Sequence, residues 1–451
     1  MKRILKVIAL GILTGQMALA GGIVTNTNQS ASWVRMLSRD ASTDIDAIYY
    51  NPAGITALGE GIHFSLSNQS IVQEYQLYDD YPSLNDGYYT GDVSAPIFPN
   101  FYASYNSANW AFFLGFGVVG GGGSAEYTRG MPSFETPISH LPALISDLGV
   151  PTSAYSVEQY FDGTSAFYGI QGGASYKINE MISASAGLRY VIASNHYSGY
   201  LINVQVNPTH PTVNPSGEMM SAEVFFTSLG LPSYAAMVAD KEVKTTQTAR
   251  GITPILGLNI SPNENLNIGL KWEGNTSLEF ENDTEVDGTG MFSDGSTFNR
   301  DMPMMISVGV QYKLDQNVRI QAGYHTYMDK NADWDGREDL VDHNMYELSV
   351  GAEYDINQQF TISAGYLMGR TGVSENYQDN LSFSLSSNTL GGGLKIHFNE
   401  ALSLDLGFAK MMYMAMVEHV AADPSNGTSA YNTNYDKDGF MLAIGLNYSL
   451  Y

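Results

Sequence analysis

Few side chains in this sequence combine a type and a spacing that suggest chemistry. Ser194 and His196 lie two residues apart, so on a strand they share a face. A serine hydrolase, such as an outer-membrane phospholipase, would need a triad whose geometry this spacing does not supply. Two acidic stretches resemble calcium loops: Asn331-x-Asp333-x-Asp335-Gly336-x5-Asp342 and Asp283-x-Glu285-x-Asp287-Gly288-x5-Asp294. Both have alternate oxygen ligands and a turn glycine, but end in Asp where an EF-hand has Glu. Ca²⁺ in these loops is the one cofactor the sequence suggests. The absence of cysteine removes thiolate metal sites, Cys nucleophiles and disulfide scaffolds. Binding, and not catalysis, is the expected business of this chain.

The elements that must carry these residues are strands. Of 451 residues 15% are charged, and 46 glycines, 30 tyrosines and 19 phenylalanines dominate the remainder, a composition unlike an ordinary soluble domain. The net charge of −25 argues against a nucleic-acid partner. Lys2, Arg3 and Lys6, then an apolar Val7–Leu13 and Ala18-Leu19-Ala20, have the layout of a secretory signal peptide over 1–20. Cleavage after Ala20 removes three basic residues and no acid, taking the charge to −28. Beyond it no apolar run approaches the ~18 residues of a membrane helix.

Period-2 alternation then recurs along the chain. Leu402, Leu404, Leu406 and Phe408 alternate with Ser403, Asp405 and Gly407; Leu266, Ile268, Leu270 and Trp272 alternate with Asn267, Gly269, Lys271 and Glu273. Such runs are long enough to cross a bilayer at a tilt, and their non-apolar face carries charge as a wet lumen would. Tight polar turns at 106–109, 179–180, 261–265, 315–317, 357–359 and 399–400 separate long polar segments at 73–98, 121–162, 198–245, 282–298, 328–342, 371–382 and 414–436. Six turns and seven loops join about fourteen antiparallel strands, the short-turn and long-loop asymmetry of bacterial outer-membrane barrels. The expected fold class is all-β, a transmembrane barrel over 61–451 with a luminal plug at 21–60. That N-terminal stretch does not alternate, yet Trp33, Tyr49 and Tyr50 require packing.

Asp46-Ala47-Ile48-Tyr49-Tyr50-Asn51-Pro52-Ala53-Gly54, preceded by Asp40-Ala41-Ser42, resembles the plug-terminal Asn-Pro-Ala signature of the FadL/TodX outer-membrane transporters. The likeness extends over the mature chain and includes a Gly-rich third strand, Trp110 to Val119. It implies passive uptake of long-chain fatty acids or aromatic hydrocarbons, with a lateral opening where the third strand kinks. Asn51, Pro52 and Ala53 are then the expected plug gate, and Gly115 and Gly117 the kink, glycines marking bends and close approach. The Asn51 amide is suited to satisfy strand groups left unpaired there.

For cargo, alternation points Arg189, Lys271 and Arg319 inward, together with Glu273, Glu347, Glu353 and Asp405. They are candidates to bind a ligand carboxylate or to form a structural network between wall and plug. Loop segments Ile138–Leu148 and Met219–Val238, with Phe225 and Phe226, are expected to line an entrance groove for a lipophilic ligand. A plugged porin for polar solutes and a surface adhesive or structural barrel are the alternatives. The expected partners are the lipophilic ligand and outer-membrane lipid, around a monomer.

Overall fold

The computed structural model describes residues 22–422 and 429–450; the expected leader, 1–20, lies outside them. Fourteen antiparallel strands form the wall: β1 (Gly61–Asp79), β2 (Tyr88–Ser107), β3 (Trp110–Tyr127), β4 (Tyr155–Lys177), β5 (Ile182–Val206), β6 (Lys241–Asn263), β7 (Leu266–Glu273, resuming at Glu279–Asp287), β8 (Thr297–Asn299, resuming at Met305–Lys313), β9 (Val318–Tyr327), β10 (Tyr346–Asp355), β11 (Phe360–Arg370), β12 (Ser387–His397), β13 (Leu402–Tyr413, resuming at Met416–Val420) and β14 (Tyr431–Leu450). β14 pairs with β1 from Leu450↔Ile62 to Thr433↔Asp79, so the sheet closes and has no free edge. A bilayer demands that closure, because no water there can satisfy backbone groups.

Alternation fixes the two faces. Along β14, Phe440, Leu442, Ile444, Leu446 and Tyr448 are exposed, whereas Met441 and Ala443 are buried. Trp110, packed on Tyr176 with ring centroids 4.7 Å apart, belongs to the aromatic rim at the short-turn end. The six tight turns fall where the sequence predicts them. Most long loops are shorter than predicted, since β1 runs to Asp79, β2 starts at Tyr88 and β5 has 25 residues, whereas those at 328–345 and 371–386 are longer. At ~3.3 Å per residue β5 extends roughly 80 Å, far beyond a ~30 Å hydrocarbon core. Polar residues that look like loop therefore continue the hydrogen-bonded ladder above the membrane, where water solvates their side chains.

Residues 22–58 fill the lumen. Ser30 caps α1 (Ala31–Met36) by accepting from the Trp33 N–H, and Leu37 ends it at φ 61°. Then follow α2 (Ala47–Tyr50) and a 3-10 turn, Pro52–Ala57. The wall makes room with glycine: a Cβ at Gly365 would collide with the Met36 carbonyl, and one at Gly407 would lie 3.0 Å from the Arg35 nitrogen. Small wall residues are thus a requirement of plug docking, not a propensity of the strands.

Candidate functional site

Six residues leave the ladder at two places in the wall: 249–254 of β6 against β7, and 95–100 of β2 against β3. β2 and β3 pair from Ser107↔Trp110 to Phe101↔Phe116 and again from Ser94↔Ser124, leaving the stretch between them apart. β3 also carries two irregularities against β4, between Val118 and Gly120 and between Gly120 and Gly123. Gly121 and Gly123 have φ of 84° and 81°, a backbone that side chains disfavour, so the glycines here are conformational necessities.

The plug's first residues repair the parted wall. Thr25 forms an antiparallel bridge to Gly120, and the Asn26 N–H donates to the Val119 carbonyl at 2.8 Å. The Asn26 amide donates to Gly121 O at 2.8 Å and the Gln29 amide to Val118 O at 2.7 Å. From the β2 side Asn100 donates to the Gln29 side-chain oxygen at 3.0 Å. Backbone groups left outside the β2–β3 ladder thereby find partners in a segment that is not part of the barrel. Tyr102, Tyr49 and Tyr50 hold the segment in place through hydroxyl donors to the carbonyls of Gln29, Asn26 and Thr27.

This corrects the expectation for Asn51. Its amide donates to Ser42 O at 3.0 Å and to the Asn259 side chain, on β6, at 2.7 Å. Pro52 and Ala53 offer their carbonyls to Ser175 and Ser183. The Asn-Pro-Ala element therefore docks on β4–β6, and Thr25, Asn26 and Gln29 occupy the opening instead. Proline's locked φ turns the chain toward the wall there, which leaves the Asn51 side chain aimed at β6 and back at the plug. Gly115 faces the plug at Ile48, and Gly117 faces the Gln29 and Asn100 amides. The sequence signal missed at this site was the polar tract Thr25–Ser30, six hydrogen-bonding side chains with no charge among them.

The inward cations form a buried network. Arg189 makes two hydrogen bonds to Glu273, at 2.7 and 2.8 Å, and Lys271 donates to Glu273 and to the Tyr49 carbonyl, both at 2.8 Å. Arg319 is held by Glu353 and Asp355. From the plug, Arg35 bridges Glu353 at 2.6 Å and Asp405 at 2.8 Å, and Arg39 pairs with Asp46 and Asp44. His325 joins Asp40 to Glu347. Each of the three predicted ligand cations is thus occupied by carboxylates, and the three are not gathered around one site. Burying a charge without a partner costs several kcal/mol, so in the closed plug these pairs serve cohesion.

At the outer end the two longest loops meet, as their apolar stretches suggest. α3 (Pro132–Ser139) and α4 (Leu141–Asp147) share one apolar cluster with α5 (Ala222–Ser228) and α6 (Pro232–Val238). Phe225 and Phe226 lie at its centre, both 0% exposed, and do not line an open groove. The two rings prefer Ile145, Val206 and each other to water. Ser194 and His196 share the outward face of β5, where His196 meets Thr246 at 3.2 Å. Asp333 and Asp335 accept from Asn299, and Asp287 accepts from Thr289, Gly290 and Phe292. Among the described residues no three acidic or histidine side chains gather as a metal site would require. Beneath the plug, a polar cavity of about 190 Å³ opens between Asp44, Asp46, His63, Lys395 and His397.

Residues 166–450 match the family described as outer membrane protein transport protein (OMPP1/FadL/TodX). No curated protein matches the sequence. By structure the chain is similar to a Pseudomonas aeruginosa FadL homologue, at 13% identity and TM-score 0.66 over 96% of this chain and 100% of that one. It is also similar to the P. putida toluene transporter TodX, at 13% and 0.58 over 90% and 94%. The Ralstonia pickettii toluene transporter TbuX aligns at 15% and 0.55, again over 90% and 94%. These likenesses are of fold. With the family match over most of the barrel, they identify the chain as a bacterial outer-membrane β-barrel that belongs to the OMPP1/FadL/TodX transport protein family.

Proposed function

We propose that this protein is a passive channel for lipophilic small molecules, which enter at the outer loops and leave sideways between β2 and β3. The observation that carries the reading is the parted wall bridged by Thr25–Gln29. A movable segment makes a gate of what would otherwise be an unsatisfiable break. The axial alternative would deliver an apolar solute into the charged cavity under the plug, where it gains no solvation. The names of the toluene transporters with this fold support an apolar cargo, either aromatic hydrocarbon or fatty acid. No cofactor or energy source is needed, and a barrel that closes on itself can act as a monomer.

The chain has no cysteine, so a disulfide can lock the segment without side reactions. Asn26→Cys with Val119→Cys places the pair beside the Thr25–Gly120 bridge. In Gram-negative cells expressing it, uptake of labelled oleate and toluene should stop when the pair is oxidised and return on reduction. Normal uptake of both by the oxidised protein would exclude the lateral route.

A further inference from the structure

Where β2 parts from β3 it also bulges against β1. Ser70 of β1 faces two residues of β2, Pro96 and Ile97, since Gln69 pairs with Phe98 and Ile71 with Ala95. The extra residue bends β2 locally. Ile97 is 75% exposed, more than any other large apolar side chain among the described residues, so the bulge points out of the wall. Pro96 and Pro99 have no N–H to give to a ladder. Two side chains of β1 serve the bulge instead. The Pro96 carbonyl accepts from the Asn68 amide at 3.3 Å and from the Ser70 hydroxyl at 2.9 Å. The Phe98 N–H donates to the Asn68 side-chain oxygen at 3.0 Å.

Asn68 and Ser70 lie on the outward face of β1. They stand between the exposed Leu66 and Val72 and alternate with the buried Ser67, Gln69 and Ile71. On β14 they pair with Ile444 and Leu442, both exposed. The two polar side chains are therefore set in the apolar band that meets lipid, where a polar group without a partner is costly. The two lips of the opening are held separately. Backbone groups of β3 are satisfied by Thr25, Asn26 and Gln29 of the plug, and those of the β2 bulge by the wall itself. Withdrawal of the plug leaves the hydrogen bonds of Pro96 and Phe98 in place.

We propose that Asn68 and Ser70 are positioning residues for exit: from the lipid side they hold the β2 bulge away from β3, so that the opening keeps its width when the plug moves. This rests on the lateral route proposed above and gives its gate a fixed side. Without the two side chains the Pro96 carbonyl and the Phe98 N–H would have no partner, and lipid offers none. β1 is paired with β14 throughout and has one residue, Ser70, outside the β2 ladder. β3 has 117–123 outside it. The freed groups of β2 would turn to β3, and the opening would narrow.

Spin labels across the opening test this. The chain has no cysteine, so Ile97→Cys and Tyr168→Cys place one label on β2 and one beyond β3, on β4, where Tyr168 pairs with Val118. In lipid nanodiscs Asn68→Leu with Ser70→Ala should shift the label distance to shorter values. In cells, without the labels, toluene uptake per folded barrel should fall ~10-fold, the scale set by polar groups left without partners. Ser70→Ala alone, which keeps the Asn68 pair and decides the question if the double variant does not assemble, should shift both readings less. Ser70→Thr keeps the hydroxyl and should restore both. A residue that merely stabilised the barrel would change how many barrels fold, counted by heat-modifiability on gels, and not the width of the opening in those that do. Unchanged distance and uptake in the variants that assemble would overturn the proposal, as would Ser70→Thr behaving like Ser70→Ala. The oxidised Asn26→Cys with Val119→Cys protein separates the two readings. If it blocks uptake while the Asn68 and Ser70 variants transport normally, the lateral route stands and the role of these residues falls. If it transports normally, both fall.

Discussion

Gln29 of the plug donates its side-chain amide to the Val118 carbonyl of β3, at 2.7 Å, across the opening where β2 and β3 part. Because Asn100 and Tyr102 of β2 also hold Gln29, this residue bridges both sides of the opening.

Gln29→Leu should therefore loosen the gate and leave the barrel intact. Losing partners for buried polar groups costs ~1–3 kcal/mol. Amide exchange across 118–123 should accelerate roughly 10-fold or more by the same scale, with β9–β12 unchanged. Unaltered exchange at 118–123 would mean that the Thr25 and Asn26 bridges suffice alone.

Arg35→Met should release the plug more drastically. It strands Asp405, buried in the wall, and leaves Glu353 with Arg319 alone; breaking such a buried pair costs about 3–5 kcal/mol. The expected result is protease cleavage within 22–58 in a barrel that still resists unfolding by detergent. The double replacement Arg35→Met with Asp405→Asn should recover part of the loss, since the stranded charge is gone.

Gly365→Val tests the same interface by shape. Its side chain would enter the space of the Met36 carbonyl, a backbone atom with little freedom to move. Single-channel conductance should rise as the plug shifts from the wall, whereas Gly392→Ala, whose Cβ would meet only Ser363 O at 3.3 Å, should behave nearly as wild type.

Phe226→Ser should unfold the outer cap and not the barrel. Removing a buried aromatic costs about 3–5 kcal/mol, more than a small loop cluster can absorb. Limited proteolysis should begin within 207–240, with unchanged heat-modifiability on gels. A cap that remains resistant would show that the cluster does not depend on its central rings.

Asp329 gives the outer loops a pH dependence. Burial pushes its carboxyl up to about 7, although the Met345 N–H bound at 2.9 Å works in the opposite direction. A raised carboxyl holds its proton more tightly folded than unfolded, so its stabilising contribution is complete below the unfolded value of roughly 4. That contribution is lost as pH rises from there through about 7. Hydrogen exchange in 328–345, corrected for intrinsic rates, should show protection falling between about pH 4 and 7 in wild type and staying flat in Asp329→Asn.

What the sequence alone determined is the barrel. Strand number, the side of each turn and the lipid-facing residues follow from a period of two, a local property, and from the bilayer's demand that backbone groups pair within the wall. The identity of the inward residues was legible for the same reason: Arg189, Lys271 and Asp405 could be placed on the luminal face by counting. Their partners could not. Arg35 finds Asp405 across 370 residues and Asn26 finds Gly121 across 95, contacts set by how one irregular segment lies in a closed cylinder. The plug has no repeating pattern from which its docking could be read. Only the tertiary structure decided that Thr25, Asn26 and Gln29 close the parted wall while Asn51 turns to β6. It likewise decided that Phe225 and Phe226 close a cap: two loops in contact bury apolar rings that either loop alone would expose.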